Sequence, residues 1–189
     1  MHDIEPYYGW EKYYVASNDE YSPFYGREYI ITHYTQEIYG YYIHPMWDNI
    51  GSETLYIKIL YVHYGEGFAI IELLGEWNDT LYNDVMYLKR NVIDLMINKG
   101  INKFILIGEN ILNFHGSDEC YYEEWFEDVE DGWVVAINFR DFVLDEMSHY
   151  NIDWYINWGG SLDIANWRTF LPVKLYQIIK QQITFRLGE

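Results

Sequence analysis

The stretch that decides the fold is INKFILIGENILNFH, which runs from Ile101 to His115. Its residues Phe104 to Ile107 form a continuous apolar run, the pattern of a strand that is buried on both faces. A long helical pattern ends at Gly100 just before the stretch, and polar side chains follow the apolar run. A strand of this kind, opening into polar residues, is typical of the middle of an α/β sheet with a site at its end.

The residues before this stretch predict antiparallel strands. Thr54 to Tyr64 alternates and is rich in β-branched and aromatic residues, and Gly65-Glu66-Gly67 turns the chain directly into Phe68 to Leu74. Further upstream, Arg27 to Tyr34 and Glu37 to Ile43 predict a second hairpin, followed by a loop over residues 44–52. Residues 1–50 are interpreted as a Tyr-rich N-terminal extension that contains β-structure.

Helical patterns alternate with short apolar runs in the second half of the chain. Asn78 or Asp79 is placed to cap a helix over residues 80–99, whose apolar face comprises Leu81, Val85, Leu88, Val92, Leu95 and Met96. The elements predicted after residue 107 are a helix from Ser117 to Glu127, a strand from Trp133 to Ile137, a helix from Asp141 to Tyr150, a strand from Trp154 to Ile156, and a terminal helix from Pro172 to Thr184.

This order of elements predicts the fold class. Strands that alternate with helices imply parallel neighbours joined by right-handed crossovers. We therefore expect an α/β protein whose mixed sheet has a parallel β-α-β-α-β-α core over about residues 68–185, preceded by antiparallel hairpin strands. A doubly wound three-layer arrangement is the alternative. The whole chain, residues 1–189, is expected to form one domain, with its α/β core over residues 54–189.

A hairpin followed by helix, strand, helix, strand and helix resembles the STAS domain of anti-sigma-factor antagonists, over about residues 54–150. In that family, the loop before the second helix carries an Asp-Ser-x-Gly-type motif with a phosphorylatable serine. The matching place reads Gly116-Ser117-Asp118-Glu119, which has a serine at the helix start but not the family's order of residues. The resemblance is one of topology, which by itself does not carry function.

Composition disfavours several classes of binding partner and indicates the cellular location. The formal net charge of −18 disfavours binding to nucleic acid or to anionic membrane surfaces. No apolar run is long enough to span a membrane, and the acidic start, Met1 to Glu5, lacks the apolar region of a signal peptide. The single cysteine, Cys120, cannot form an internal disulfide. Together these features favour the cytoplasm.

The predicted strand ends form the candidate site. If the strands are parallel, the residues that follow them meet at one edge of the sheet, where ligands of open α/β sheets bind. The same Asn, Asp and Gly residues are also what strand–helix turns require, so a purely structural role is the alternative. The candidate ligand-binding residues are Trp77, Asn78, Glu109, Asn110, Asn113, Asn138, Arg140, Asn157 and Trp158.

Catalysis at this edge would depend on neighbouring carboxylates. Glu76 and Glu109 are the candidate acid/base pair, and His115 is a third candidate. The sequence has no nucleophile elbow, no P-loop and no dinucleotide-binding fingerprint, and its histidines lack ligand spacing. It therefore predicts no cofactor and no metal.

Two functions remain open from the sequence. The favoured one is a non-enzymatic regulatory or binding domain that takes a protein partner or a small ligand at the strand ends. The alternative is a small acid/base enzyme that uses Glu76 and Glu109. A homodimer, formed through the terminal helix, is a further open alternative.

Overall fold

Strands form two sheets in residues 3–187, the part of the chain that the computed structural model describes. A small sheet holds β1 (Asp3–Ile4), β2 (Glu37–Ile38) and β3 (Tyr41–Ile43). The main sheet holds, in spatial order, β4 (Asp48–Asn49), β5 (Leu55–His63), β6 (Phe68–Asn78), β7 (Lys103–His115) and β8 (Trp133–Ile137).

The helices lie mostly between and after the strands of the main sheet. The α-helices are α1 (Asp79–Tyr82), α2 (Asp84–Leu88), α3 (Asp94–Ile97), α4 (Cys120–Asp128), α5 (Asp141–His149) and α6 (Pro172–Leu187). A π-helix, Lys89–Ile93, joins α2 to α3, and short 3-10 helices lie at Ala16–Asn18, Ile152–Trp154, Gly160–Leu162 and Trp167–Thr169. No described helix is long and apolar enough to cross a membrane.

The main sheet confirms the predicted fold class. β7 lies between β6 and β8 and runs parallel to both, whereas β4, β5 and β6 pair antiparallel. Phe104 to Ile107 have no exposed surface, because α2 to α5 pack on one face of the sheet, and α6 packs with the N-terminal segment on the other. The apolar run therefore forms the buried centre that its composition predicts.

The hairpin between β5 and β6 is also as predicted, and Gly67 fixes its geometry. Gly67 has a φ of +67°, and its amide donates to the carbonyl of His63. A Cβ atom there would lie 2.8 Å from the Gly100 carbonyl oxygen. Its own carbonyl accepts from the amides of Asn102 and Lys103. The turn therefore positions the start of β7 as well as that of β6.

The predicted upstream hairpin is wrong in its position. The observed turn lies within the second run, where Tyr39 and Gly40 both have positive φ and join β2 to β3. Residues 27–34 form no strand, because the local two-residue turn already pairs the second run with itself. The predicted loop over residues 44–52 contains the short strand β4.

The helix predicted over residues 80–99 is broken. Asn83 adopts a left-handed conformation with φ of 53°, which ends α1, and the π-helix changes the helical period further on. The expected apolar face is consequently split. Leu81 and Leu95 are 74% and 46% exposed, whereas Val85, Leu88, Val92 and Met96 are buried.

The fourth predicted strand, Trp154 to Ile156, does not form. Asn151 has a φ of 58° and leads into a 3-10 helix over Ile152–Trp154. Only Asn157 reaches the sheet, where it makes an isolated parallel bridge to Val135 of β8. Because part of this run lies in a helical turn, too few residues remain to form a strand. The parallel part of the main sheet therefore comprises β6, β7 and β8.

The terminal helix α6 packs against the sheet, as its pattern predicts. Leu175, Tyr176, Ile179 and Ile183 are all at most 2% exposed and belong to the core on the second face. Tyr176 stacks on Phe68 of β6 with ring centroids 3.9 Å apart. This helix therefore shields the sheet face that α2 to α5 leave uncovered.

Candidate functional site

The predicted strand-end residues lie mostly inside strands. β6 and β7 pair from Phe68 with Lys103 as far as Asn78 with His115, whereas β8 stops beside Ile107. Segments 75–79 and 108–115 therefore extend the two central strands beyond their neighbour. Bulges near Glu72 and Glu76 shift the register on the way, and such bulges re-aim side chains locally.

Glu109 is held by three donors from the later part of the chain. Its Oε1 atom accepts from Trp167 Nε1 at 2.8 Å and from Asn138 Nδ2 at 3.2 Å, and its Oε2 atom lies 2.6 Å from Arg168 Nη2. Asn138 also exchanges two hydrogen bonds with the backbone of Ile164. Two predicted site residues, Glu109 and Asn138, thus meet, and together they dock residues 160–168 onto the sheet.

Glu72 is the neighbouring carboxylate that sequence reasoning missed. It is 1% exposed, and its Oε2 atom accepts from the Tyr7 amide at 2.7 Å. Its Oε1 atom lies 3.5 Å from Asn110 Nδ2 and 3.9 Å from Arg168 Nη2. Burial raises the pKa of Glu72 to about 7, against the opposing effects of the Tyr7 amide and Arg168.

Aromatic rings close this carboxylate cluster from outside. Tyr7, Trp10 and Trp167 contact one another edge to face, with centroids 4.9–5.4 Å apart. The Tyr7 hydroxyl donates to the Arg168 carbonyl, and Trp10 Nε1 donates to the Phe170 carbonyl. The cluster of Glu72, Glu109 and Arg168 therefore joins the N-terminal and C-terminal segments to the central strands.

Glu76 and Glu109 do not form the predicted neighbouring pair. Glu76 is opposite Asn113, four residues beyond Glu109 on β7, which corresponds to about 13 Å along the strands. The Glu76 carboxylate has no hydrogen bond or ion pair to any side chain among residues 3–187. Register shifts at the two bulges separate residues that a simple strand-end alignment brings together.

Glu76 instead lines an open cavity of about 270 Å³ beside the small sheet. Three acidic residues, Glu37, Glu53 and Glu76, line this cavity together with Thr54. Among residues 3–187, no lysine, arginine or histidine lines it. Its remaining lining residues are Gln36, Ile38, Tyr39, Ile43 and Tyr56. The cavity is therefore acidic, with an aliphatic and aromatic wall.

Trp77 and Asn78 are buried and have structural partners. Asn78 caps α1 by accepting from the Leu81 amide at 3.0 Å. Trp77 Nε1 donates to Asp79, which also accepts from the Tyr122 hydroxyl at 2.6 Å. Burial raises the pKa of Asp79 to about 6, while the Tyr122 hydrogen bond opposes the rise.

A second buried carboxylate supports the same junction. Asp84 accepts from the hydroxyls of Ser52 at 2.6 Å and Thr54 at 2.7 Å, and from the Asn78 amide at 2.7 Å. Because Thr54 lines the acidic cavity, Asp84 holds part of the cavity wall in place.

The other predicted residues are not brought to one point. Asn113 contacts the exposed His115 at 2.9 Å, and Arg140 is exposed at the start of α5. Asn157 Nδ2 lies 3.4 Å from the Val134 carbonyl, and the Trp158 carbonyl accepts from Arg186. Their part in binding stays a prediction.

Ligand atoms for a metal come together at one place within the described ranges. Asp3, Glu5 and His44 offer atoms within 4.8 Å of one another, and both carboxylates are exposed. His44 Nδ1 accepts from the Met46 amide, which places the imidazole proton on the other nitrogen and leaves no free lone pair for a metal. The donor set therefore does not fit a metal centre.

Comparisons with known proteins give matches among solved structures alone. No protein-family model matches the chain, and no curated protein matches it. A solved structure described as the anti-sigma factor antagonist SpoIIAA in its unphosphorylated form is similar over 55% of this chain and 88% of that chain, with 13% identity and a TM-score of 0.42. This solved structure is an anti-sigma factor antagonist, the class of protein whose STAS domain the order of elements resembles. The likeness is one of topology.

Proposed function

We propose that this chain is a non-enzymatic binding domain that takes a small ligand in the acidic cavity lined by Glu76. One observation carries the proposal: Glu76 is the predicted strand-end carboxylate that has no side-chain partner in residues 3–187 and faces a cavity of about 270 Å³. That volume is close to the lower end of the range for small-molecule pockets, about 300–1,000 Å³.

The charge of the cavity defines what it binds. Glu37, Glu53 and Glu76 line it, and no basic side chain in the described part of the chain does; Glu37 and Glu53 are exposed. A cationic group is therefore favoured, because it relieves the repulsion among three carboxylates. Ile43 and Tyr56 add apolar surface beside them. An organic ammonium ion fits both properties better than an inorganic cation does.

The geometry favours binding over acid/base catalysis. The two carboxyl groups of a glycosidase lie roughly 5–9.5 Å apart, whereas Glu76 and Glu109 are about 13 Å apart along the strands. Both Glu109 oxygens already accept from fixed donors. Glu109 is therefore available to dock the C-terminal segment rather than to transfer a proton.

Titration with n-butylammonium chloride tests the proposal. Heteronuclear NMR should show shifts concentrated at Thr54, Tyr56 and Glu76. Glu76→Gln should weaken the binding several-fold, because it removes charge without changing size. The control is Glu146→Gln on α5, an exposed glutamate in the same chain. Shifts elsewhere, or equal binding by Glu76→Gln and the parent, would overturn the proposal.

A protein partner is the second candidate, favoured by a different surface. Phe126 of α4 is 49% exposed and contacts Tyr155, and Trp154 is 72% exposed. Exposed Glu123 and Glu127 flank them on α4. Aromatic side chains with a polar rim are typical of protein interfaces.

Sedimentation of the parent and of Trp154→Ala tests the simplest protein partner, which is a second copy of the chain. A dimer that Trp154→Ala dissociates would support this partner, and a monomeric parent would exclude it.

A further inference from the structure

A second cavity adjoins the acidic one and has the opposite character. It encloses about 310 Å³ between residues 27–36 and the strands β3 to β5. Buried Trp47 and Tyr56 form its aromatic wall, and Arg27, His33 and His44 line another side. The chain has 30 acidic residues against 12 lysines and arginines, yet Glu28 is the one carboxylate among the described residues that line this cavity.

Arg27 supplies hydrogen-bond donors to this second cavity. Its Nη1 atom lies 3.3 Å from Asp48 Oδ1 and 3.4 Å from the Asn49 carbonyl. Its Nε and Nη2 atoms make no hydrogen bond to any residue in the described ranges, and its side chain is 34% exposed. A guanidinium group has five N–H donors in a planar fork that matches a carboxylate. Arg27 can therefore bind an anion without releasing Asp48.

The two histidines differ in their availability. The His44 ring is engaged, because it accepts from the Met46 amide and lies beside the Asp3 and Glu5 carboxylates. His33 is exposed, and its ring has no hydrogen-bond partner in residues 3–187. Arg27 and His33 are consequently the groups that face an incoming anion.

The two cavities share part of their lining. Gln36, Ile43 and Tyr56 line both of them. The Tyr56 hydroxyl donates to Gln36 Oε1 at 2.8 Å, which places this hydrogen bond at the boundary. Ile43 is 5% exposed and belongs to the small core beneath the two cavities. Arg27 and Glu76 therefore lie in two adjoining cavities that share a partly apolar wall, and we call the two cavities together the groove.

We propose that this groove binds a dipolar ligand, a short peptide with free termini, whose carboxylate lies at Arg27 and whose ammonium group lies at Glu76. The inference rests on the proposed function for the Glu76 end. Opposite charges at the two ends favour one orientation of the ligand and favour a dipolar molecule over one that carries a single charge. The apolar floor accommodates a side chain between the termini.

The tripeptide Ala-Phe-Ala and its two end-blocked forms test the proposal by calorimetry on the full chain at low salt. The amidated peptide lacks the carboxylate, and the acetylated peptide lacks the ammonium group. Each blocked form should bind about tenfold more weakly than the free peptide. Equal binding by the free peptide and both blocked forms would overturn the proposal of a dipolar ligand. This comparison needs no variant of the protein.

Variants assign each end of the peptide. Arg27→Gln should weaken binding of the free peptide about tenfold and leave binding of the amidated form unchanged. Glu76→Gln should weaken binding of the free peptide about tenfold and leave binding of the acetylated form unchanged. Lys174→Gln, which removes an exposed positive charge from α6, should change neither. Binding of n-butylammonium without any binding of Ala-Phe-Ala would overturn this inference and leave the proposed function standing. Failure of both probes would overturn both.

Discussion

Arg168 Nη2 lies 2.6 Å from Glu109 Oε2, and this ion pair joins the C-terminal segment to the central strand of the sheet. The same nitrogen lies 3.9 Å from the buried carboxylate of Glu72. One cation thus offsets the repulsion between two glutamates on neighbouring strands. Because Glu72 also accepts from the Tyr7 amide, the pair links both ends of the chain to the same point of the sheet.

Removing the charge of Arg168 should destabilise the fold. Arg168→Met keeps an unbranched side chain but leaves Glu72 and Glu109 without their shared cation, so we expect the free energy of unfolding to fall by about 1–3 kcal/mol at pH 8. Urea denaturation measures the change. Arg140→Met, at an exposed position without an ion pair in the described residues, is the control and should stay within about 0.5 kcal/mol of the parent. Equal losses for the two variants would exclude a special role for Arg168.

Glu72 should make stability depend on pH. Its folded-state pKa of about 7 is above the ordinary value of 4.5, so the folded state binds the proton more tightly than the unfolded state does. Its contribution is complete below pH 4.5 and is lost as pH rises through 7. The isosteric change Glu72→Gln removes this titration, so the variant should lose less stability than the parent between pH 5 and pH 8.

The expected difference is on the order of 3 kcal/mol, since each pKa unit corresponds to about 1.4 kcal/mol. Unfolding free energies at pH 5, 6, 7 and 8 measure it. Asp79 also has a raised pKa, of about 6, but it is present in both proteins, so its contribution cancels when the parent is compared with Glu72→Gln. The same pH dependence in Glu72→Gln and the parent would contradict the assignment.

Patterns within one element predicted the central parts of the fold. The apolar run Phe104 to Ile107, the glycine turn before Phe68 and the three- and four-residue spacing of α6 each specify burial locally, and each is confirmed. These features need no knowledge of distant partners. Binary pattern and turn chemistry therefore sufficed for the α/β class.

The arrangement of the site could not be predicted in the same way. Glu72 lies in an apolar strand sequence, where a lone carboxylate is a signal of burial, but its partner Tyr7 is 65 residues away in the chain. The bulges between β6 and β7 decide that Glu76 is opposite Asn113, and no local pattern encodes them. The basic end of the groove comes from residues 27–36, which were predicted to contain a strand.

Asp84 should couple stability to ligand binding. Asp84→Ala leaves two hydroxyls and the buried Asn78 amide without their acceptor, and we expect a loss of about 2–4 kcal/mol in unfolding free energy. Because Thr54 lines the acidic cavity, n-butylammonium should also bind more weakly at a temperature where the variant is still folded. Asp145→Ala, at an exposed position on α5, is the control for both measurements. Unchanged stability would show that the Asp84 hydrogen bonds are replaced by water.

The last prediction concerns α6, whose Ile179 has no exposed surface while its neighbour Lys180 has a side chain that is 51% exposed. Ile179→Asp puts a carboxylate into the core on the second face of the sheet, so we expect a loss of about 3 kcal/mol or more. Lys180 lies 3.8 Å from exposed Glu66, and an exposed pair of this kind contributes only about 0–1 kcal/mol. Lys180→Ala should therefore melt within a few degrees of the parent. Thermal melts together with sizing chromatography separate loss of the fold from loss of a dimer. An Ile179→Asp protein that melts and elutes like the parent would show that the packing of α6 on Phe68 and its neighbours does not stabilise the sheet.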